Sequence, residues 1–384
     1  STRRRKAGEI GQPLGYQDPF NHSIQENRPM TQLSPGVVTG EDYKALIAAA
    51  KAGGYALPAV NITGTNTLNA VLEAAAQAKS DVIIQLSNGG AQFFAGQGMA
   101  DGFKAKVLGA VSAAQHAHLL AEHYGVCVAM HTDHANRGLI PWVEGVLTKG
   151  EEHYAATGRP LFTSHMLDLS EETVEFNLGE SARLLERMAK IDVSLEIELG
   201  ITGGEEDGVG SDEDIANNPR LYSQPQDVLD AYELLSPLGH FAIAAAFGNV
   251  HGVYKPGNVQ LRPEILGEAQ ALVTSKAGNG PHPVNLVFHG GSGSEQEKIT
   301  EALSHGVFKM NIDTDTQFAF AEAIGAYVDE HPRAFKYQVD PDTDQPYKSQ
   351  YDPRKWLRAG ELGMVERLQE SFDVLGSRGK SLAS

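Results

Sequence analysis

Val126-Cys127-Val128-Ala129-Met130, running directly into His131-Thr132-Asp133-His134, decides the fold. Five apolar residues follow one another without a polar break, the pattern of a strand buried on both faces. The run then gives way at once to four polar residues that can carry chemistry. Strands that are apolar along their length and reactive at their C-terminal ends build parallel α/β sheets, with the site on one rim.

The same design recurs on either side of this stretch. Tyr55–Val60 and Val82–Leu86 precede it, and Leu161–Ser164, Val193–Leu199, Phe241–Phe247, Leu286–Phe288 and Val307–Met310 follow. Helical patterns lie between the runs. Thr39 stands where a cap for the first helix belongs, with Asp42 three residues on, before the apolar Tyr43, Leu46 and Ile47. Ser170-Glu171-Glu172-Thr173 opens another helix, with Leu184, Leu185 and Met188 on its apolar face. Further helices are expected near 66–79, 104–124, 225–235, 294–305 and 316–330. Eight short strands alternating with helices predict an α/β fold, a (β/α)8 TIM barrel forming a single domain with extra N-terminal and C-terminal segments. A doubly wound open sheet is the alternative, but no G-x-G-x-x-G follows the first strand.

The ends of the chain read differently. Residues 1–29 begin with Arg3-Arg4-Arg5-Lys6 and continue without apolar periodicity, so they are read as a disordered leader or tag-like extension to a catalytic domain over 30–384. Asp340–Lys348 reads as a surface loop before a last helix near 353–375.

Composition narrows the function. The 384 residues are 41% hydrophobic, enough for a large core, and the 31 basic and 49 acidic side chains leave a net charge of −18. So acidic a surface argues against nucleic acid or an anionic membrane as partner, while a local site can still bind a small anion. No apolar run approaches the roughly 18 residues that span a bilayer. The single cysteine, Cys127, rules out an internal disulfide; inside its apolar run it reads as a buried, inert thiol, in keeping with a cytoplasmic location.

In a barrel the strand ends converge, so residues far apart in sequence share one rim. His134, His251 and His289 each end or follow a strand, beside Gly or Asp. Three imidazoles suit Zn²⁺ and leave a position for substrate. Asp168 and Glu198 stand on the same rim, as ligands of a second divalent ion or as groups that orient the histidines. Asp133, beside His134, is the candidate for proton transfer. Glu205-Glu206-Asp207 follows two glycines and reads as an acidic loop that can bring a base over bound substrate. His289-Gly290-Gly291-Ser292-Gly293-Ser294 exposes backbone N–H groups and hydroxyls after strand seven, a frequent phosphate site in barrels, and Asn311, Asp313 and Thr314 end the neighbouring strand. His131 is expected to give a supporting hydrogen bond, and His116, His118 and His123 to be ordinary helix residues. Lys309 invites a Schiff-base reading, but a structural or phosphate-neighbouring role is preferred.

These residues resemble the class II fructose-bisphosphate aldolases, over about Leu33 to Leu375. The resemblance is carried by Ala59-Val60-Asn61, Gln85-Leu86-Ser87-Asn88-Gly89-Gly90, His131-Thr132-Asp133-His134, Leu195–Gly200, Gly203–Gly208, Gly248-Asn249-Val250-His251-Gly252, Val287–Gly293, Lys309–Thr316 and Tyr351-Asp352-Pro353-Arg354. It implies that His134, His251 and His289 hold a catalytic zinc and that Asp168 and Glu198 serve a second or alternative metal position. It implies that Asp133 is the proton donor at the C4 oxygen and Glu206 the loop base at dihydroxyacetone phosphate. Gly252, Gly290, Ser292, Asn311, Asp313 and Thr314 match the ketose-phosphate pocket, which also takes a monovalent cation, Na⁺ or K⁺. Asn61 and Ser87 match substrate contacts, and Arg354 matches an arginine that reaches the other phosphate across a homodimer interface. The implied reaction is reversible cleavage of fructose 1,6-bisphosphate, a step of glycolysis and gluconeogenesis. A tagatose-bisphosphate aldolase or another zinc-dependent barrel enzyme is the alternative. Ala135 departs from relatives that carry cysteine after the Asp-His pair.

Overall fold

The computed structural model describes residues 32–204, 219–251, 260–291 and 293–384. The leader expected over 1–29 lies outside them. Among the described residues, eight parallel strands close into a barrel. They are β2 (Leu57–Asn61), β3 (Val82–Leu86), β4 (Cys127–Thr132), β5 (Ser164–Leu167), β6 (Ser194–Leu199), β8 (Phe241–Ala245), β10 (Leu286–Phe288) and β11 (Val307–Ile312). β2 pairs with β11 and β4 with β5, which closes the ring. A short β1 (Gly36–Val37) pairs with the start of β4, and a separate pair joins β7 (Gly203–Gly204) to β9 (Val250–His251).

Nearly every strand residue is buried, which is why the sequence shows continuous apolar runs. Alternation still operates: Leu195, Ile197 and Leu199 pack in the outer cluster beneath the helices, leaving Glu196 and Glu198 on the opposite face. The lower interior is filled by Ala59, Ile83, Ala129, Ala242, Ala244, Val287 and Phe308. Helix α1 (Gly40–Gly53) adds Tyr43, Leu46, Ile47 and Ala50 to that cluster and stops the lower mouth. The C-terminal tail is tied there too. Buried Asp81 accepts from Ser381 Oγ at 2.6 Å, Leu382 N at 2.7 Å and Cys127 N at 3.0 Å. Cys127 is buried and free, with burial raising its thiol pKa.

Four local expectations change. The fourth strand occupies Ser164–Leu167 and not Leu161–Ser164. Thr163 N still donates to Met130 O at 2.9 Å, but Met130 N goes to the Thr163 hydroxyl at 2.9 Å, which itself donates to Val38 O at 2.6 Å, so the regular strand begins only after Thr163. Thr39 stands at the N-cap of α1 with extended backbone, but its side chain makes no capping bond. Thr173 does cap α6 (Val174–Ala189), accepting from Phe176 N at 3.2 Å. Three helices of eight residues or more went unexpected, α3 (Asn88–Ala95), α5 (Ile140–Thr157) and α8 (Glu264–Ala277). Glycines mask α5: Gly145 stands so close to Val107 that a Cβ would meet its Cγ2 at 2.9 Å, so packing against α4 (Gly102–Tyr124) requires what propensity disfavours. The loop after α10 (Thr314–Glu330) ends one residue early, as Lys348 opens α11 (Lys348–Tyr351), and α12 (Pro353–Val374) follows.

Candidate active site

The C-terminal strand ends bring Asn61, Asp133, His134, Asp168, Glu198, His289 and Asn311 to one rim. Asp133 is 2% exposed and held by three amides. Its Oδ2 accepts from Asn61 Nδ2 and Gln85 Nε2, both at 3.0 Å, and its Oδ1 from Asn311 Nδ2 at 3.3 Å. Burial opposes its charge, but His134, Lys309, His289 and His131 outweigh that and hold the carboxyl down at about 2. It is an ionised acceptor enclosed by donors.

His134 follows directly, at φ 27°. That left-handed geometry costs a β-carbon-bearing residue of order 1–3 kcal/mol and is retained only where the surroundings enforce it. Its Nδ1 lies 3.4 Å from Asp168 Oδ2 and 3.9 Å from Glu198 Oε2. Asp168 is fixed by Ser170, whose hydroxyl donates to Oδ1 at 2.7 Å; burial raises its pKa, but His134 and Ser170 outweigh that and lower it. Glu198 Oε1 accepts from Thr202 Oγ1 at 2.6 Å, and its Oε2 lies 3.1 Å from His289 Nδ1. Asn249 donates to His289 O at 2.9 Å and to Thr202 Oγ1 at 3.2 Å, tying three strand ends together.

Ligand atoms of Asp133, His134 and His289 lie within 4.8 Å of one another, and so do those of His134, Asp168 and Glu198. Imidazole nitrogens and carboxylate oxygens converging in two sets that share His134 fit a divalent transition ion with an adjacent second position. His251 has its backbone in β9, paired with Gly204 at the start of the acidic loop. Its side chain, like all of Glu206, Gly252 and Ser292, lies outside the described residues.

The phosphate-side residues follow the last two strands. Gly290 and Gly293 take φ 61° and 80°, a left-handed backbone that favours glycine at both positions. Asp313 is the N-cap of α10, whose first residue is Thr314; Asp313 accepts from Gln317 Nε2 at 2.7 Å. The free N–H groups of that first turn favour an anion. Ser87 caps α3 (Asn88–Ala95), its Oγ accepting from Gly90 N at 3.1 Å, a role that still lets its O–H donate. Arg354 is not gathered into this cluster: at the start of α12 it is 89% exposed and pairs with Asp352 at 2.7 Å.

Sequence reasoning passed over Gln85, Thr202 and Asn249 as site residues. Gln85 had a signal, a lone polar residue inside the buried run Val82–Leu86. His131 plays the supporting part expected of it, with Nδ1 2.7 Å from Ser164 Oγ. Lys309 is fully buried, its ammonium clasped by both Glu196 oxygens at 2.7 and 2.8 Å.

A family model described as Fructose-bisphosphate aldolase class-II matches residues 41–380. The fructose-bisphosphate aldolase of Haemophilus influenzae is 52% identical over 348 residues, covering 89% of this chain and 96% of that protein. The class 2 enzyme of Escherichia coli K12 is 52% identical over 351 residues, covering 90% and 97%. The crystal structure of the Campylobacter jejuni fructose-bisphosphate aldolase superposes with a TM-score of 0.82 at 47% identity, covering 91% of this chain and 98% of that one.

Proposed function

The chain belongs to the class II fructose-bisphosphate aldolase family and is an aldolase, a carbon–carbon lyase acting on fructose 1,6-bisphosphate; within that frame we propose how its residues divide the work. The carrying observation is Asp133, buried, ionised and held by three amide donors beside two converging sets of metal-ligating atoms.

His134, His251 and His289 would hold a zinc ion, with Asp168 and Glu198 serving a second position, and the bound ion would supply Lewis-acid stabilisation of negative charge on the ketose oxygens. The protein's own groups move the protons. In the cleavage direction the ionised Asp133 accepts the C4 hydroxyl proton as the C3–C4 electron pair passes to the three-carbon fragment and C4 becomes the aldehyde carbon. In condensation the same proton returns, so Asp133 is a base one way and the proton donor the other. Glu206 delivers the proton to C3 that completes dihydroxyacetone phosphate. Gly252, Gly290, Ser292, Asn311, Asp313 and Thr314 hold the ketose phosphate, with Na⁺ or K⁺ alongside, so that remote binding orients the reacting carbons. Asn61 and Ser87 contact the substrate, Asn61 while it also holds Asp133. Arg354 of a second copy in a homodimer grips the other phosphate. No described helix is long and apolar enough to cross a membrane; the reading places the enzyme in the cytoplasm, in glycolysis and gluconeogenesis.

The full burial of Lys309 and its pairing with both Glu196 oxygens support a structural role over a Schiff-base nucleophile. The test is cleavage of fructose 1,6-bisphosphate before and after chelation. Activity should vanish on metal removal and return with zinc or cobalt. Full activity in metal-free protein, or a borohydride-trapped adduct on Lys309, would overturn the reading.

A further inference from the structure

A charged lysine fully inside a barrel calls for a reason, because these interiors are usually packed with branched apolar side chains. The lower interior of this barrel holds Ala59, Ala129, Ala242 and Ala244, whose small side chains take up little of its space. The backbone is also bent to the purpose. Between Leu286 and Val287 of β10 the register with β11 slips, so that Leu286 pairs with Val307 but Val287 pairs with Lys309. Phe308 is the extra residue of a bulge, a device that re-aims a side chain. Stability does not explain the arrangement, since a buried ion pair is rarely better than apolar packing of equal volume.

What lies beyond the pair gives the reason. Lys309 Nζ contacts both oxygens of Glu196, so that carboxylate cannot turn. Its Oε1 lies 2.9 Å from His289 Nε2. The other ring nitrogen, Nδ1, faces Glu198, and the His289 ring lies 4.8 Å, centroid to centroid, from that of His134. We infer that Lys309 is a positioning residue that acts through Glu196 on His289, locking the ring so that Nε2 keeps its proton and Nδ1 is the atom presented to the metal corner. The inference rests on reading His289 as a metal ligand. A histidine that donates its far N–H to a fixed carboxylate is oriented and made a stronger ligand, and losing such a partner typically costs 10–100-fold in metal affinity.

Lys309→Met alone would strand the Glu196 charge in the core, so the informative variant is Glu196→Gln/Lys309→Met, which is neutral and similar in volume. Zinc affinity is read by chelator competition, with thermal melting of the metal-free protein as the control for folding. The double variant should melt near the parent and bind zinc roughly 10–100-fold more weakly. Equal affinity in parent and variant would overturn the relay, and a parent that takes up no zinc would overturn the ligand reading along with it. A second measurement needs no substitution: long-range ¹⁵N–¹H spectra of the zinc-loaded parent, labelled at histidine. His289 should retain its proton on Nε2; a proton on Nδ1 would overturn the inference whether or not the variant folds.

Discussion

Removing the Asp133 carboxylate should stop carbon–carbon chemistry while leaving the fold standing, and the geometry sets both sizes. In Asp133→Ala three donors lose their acceptor, but Gln85 Nε2 keeps Asn61 Oδ1 at 2.6 Å. That leaves Asn61 Nδ2 and Asn311 Nδ2 without their carboxylate, at about 1–3 kcal/mol each if no water replaces it. Removing the carboxylate brings no offsetting relief, because in the parent the positive groups around it already outweigh the cost of holding it in a site 2% exposed. The melting temperature should therefore fall by several degrees, with the fold kept. Turnover should fall by about 10²–10⁴-fold, the usual worth of a positioned acid–base group, or roughly 2.7–5.5 kcal/mol of transition-state stabilisation. The assay is fructose 1,6-bisphosphate cleavage by metal-loaded variant, together with exchange of the C3 proton of dihydroxyacetone phosphate into solvent. The exchange needs Glu206 and no C4 oxygen, so it should survive. Cleavage within twofold of the parent would show that Asp133 only orients its neighbours. An equal loss of both activities with loss of bound metal would make it a ligand's support and not the proton carrier.

Three further outcomes follow from the same structure. Arg354→Ala should lower kcat/KM on fructose 1,6-bisphosphate by roughly 10–100-fold, the worth of one charge-assisted hydrogen bond of about 1.5–3 kcal/mol, with little change on fructose 1-phosphate; equal losses on both would confine Arg354 to its local pairing with Asp352. Asn311→Ala removes one of the three donors to Asp133 and a phosphate-side residue together, so it should lower kcat and raise KM; a change in KM alone would remove Asn311 from the Asp133 cradle. His165 is buried, and desolvation depresses it from 6.5 to about 3. Because its folded pKa lies below its unfolded one, it adds nothing above pH 6.5. From there down towards 3 the unfolded chain binds a proton that the fold refuses, and stability falls by up to ~1.4 kcal/mol per pH unit. The melting temperature of His165→Gln should depend less steeply on pH between 6.5 and 4, and an unchanged slope would place the acid sensitivity elsewhere.

The barrel and most of its rim were legible in the sequence for a physical reason. Strands buried on both faces must be apolar along their length, so the places where Val126–Met130 or Leu286–Phe288 turn polar mark the ends, and in a parallel barrel all such ends meet. That logic finds Asp133, His134, Asp168, His289 and Asn311 without any knowledge of their contacts. It fails where two requirements compete at one position. Gly145 lowers helix propensity so that α5 can press against α4, and α5 disappears from the pattern. Thr163 continues an apolar run but spends its hydroxyl on Val38 and Met130, and the strand shifts by three residues. The same conflict hid the interior. Gln85, Glu196 and Lys309 each break an apolar strand, which looks like a flaw in the packing until their partners are known. A polar residue inside a doubly buried strand must find a partner within the barrel. For Gln85 that partner is Asp133, and for Lys309 it is Glu196, one hydrogen bond from His289. Breaks inside these strands therefore carry as much about the site as the strand ends do. The ends name the groups that can react or bind, and the interruptions name the groups that hold them.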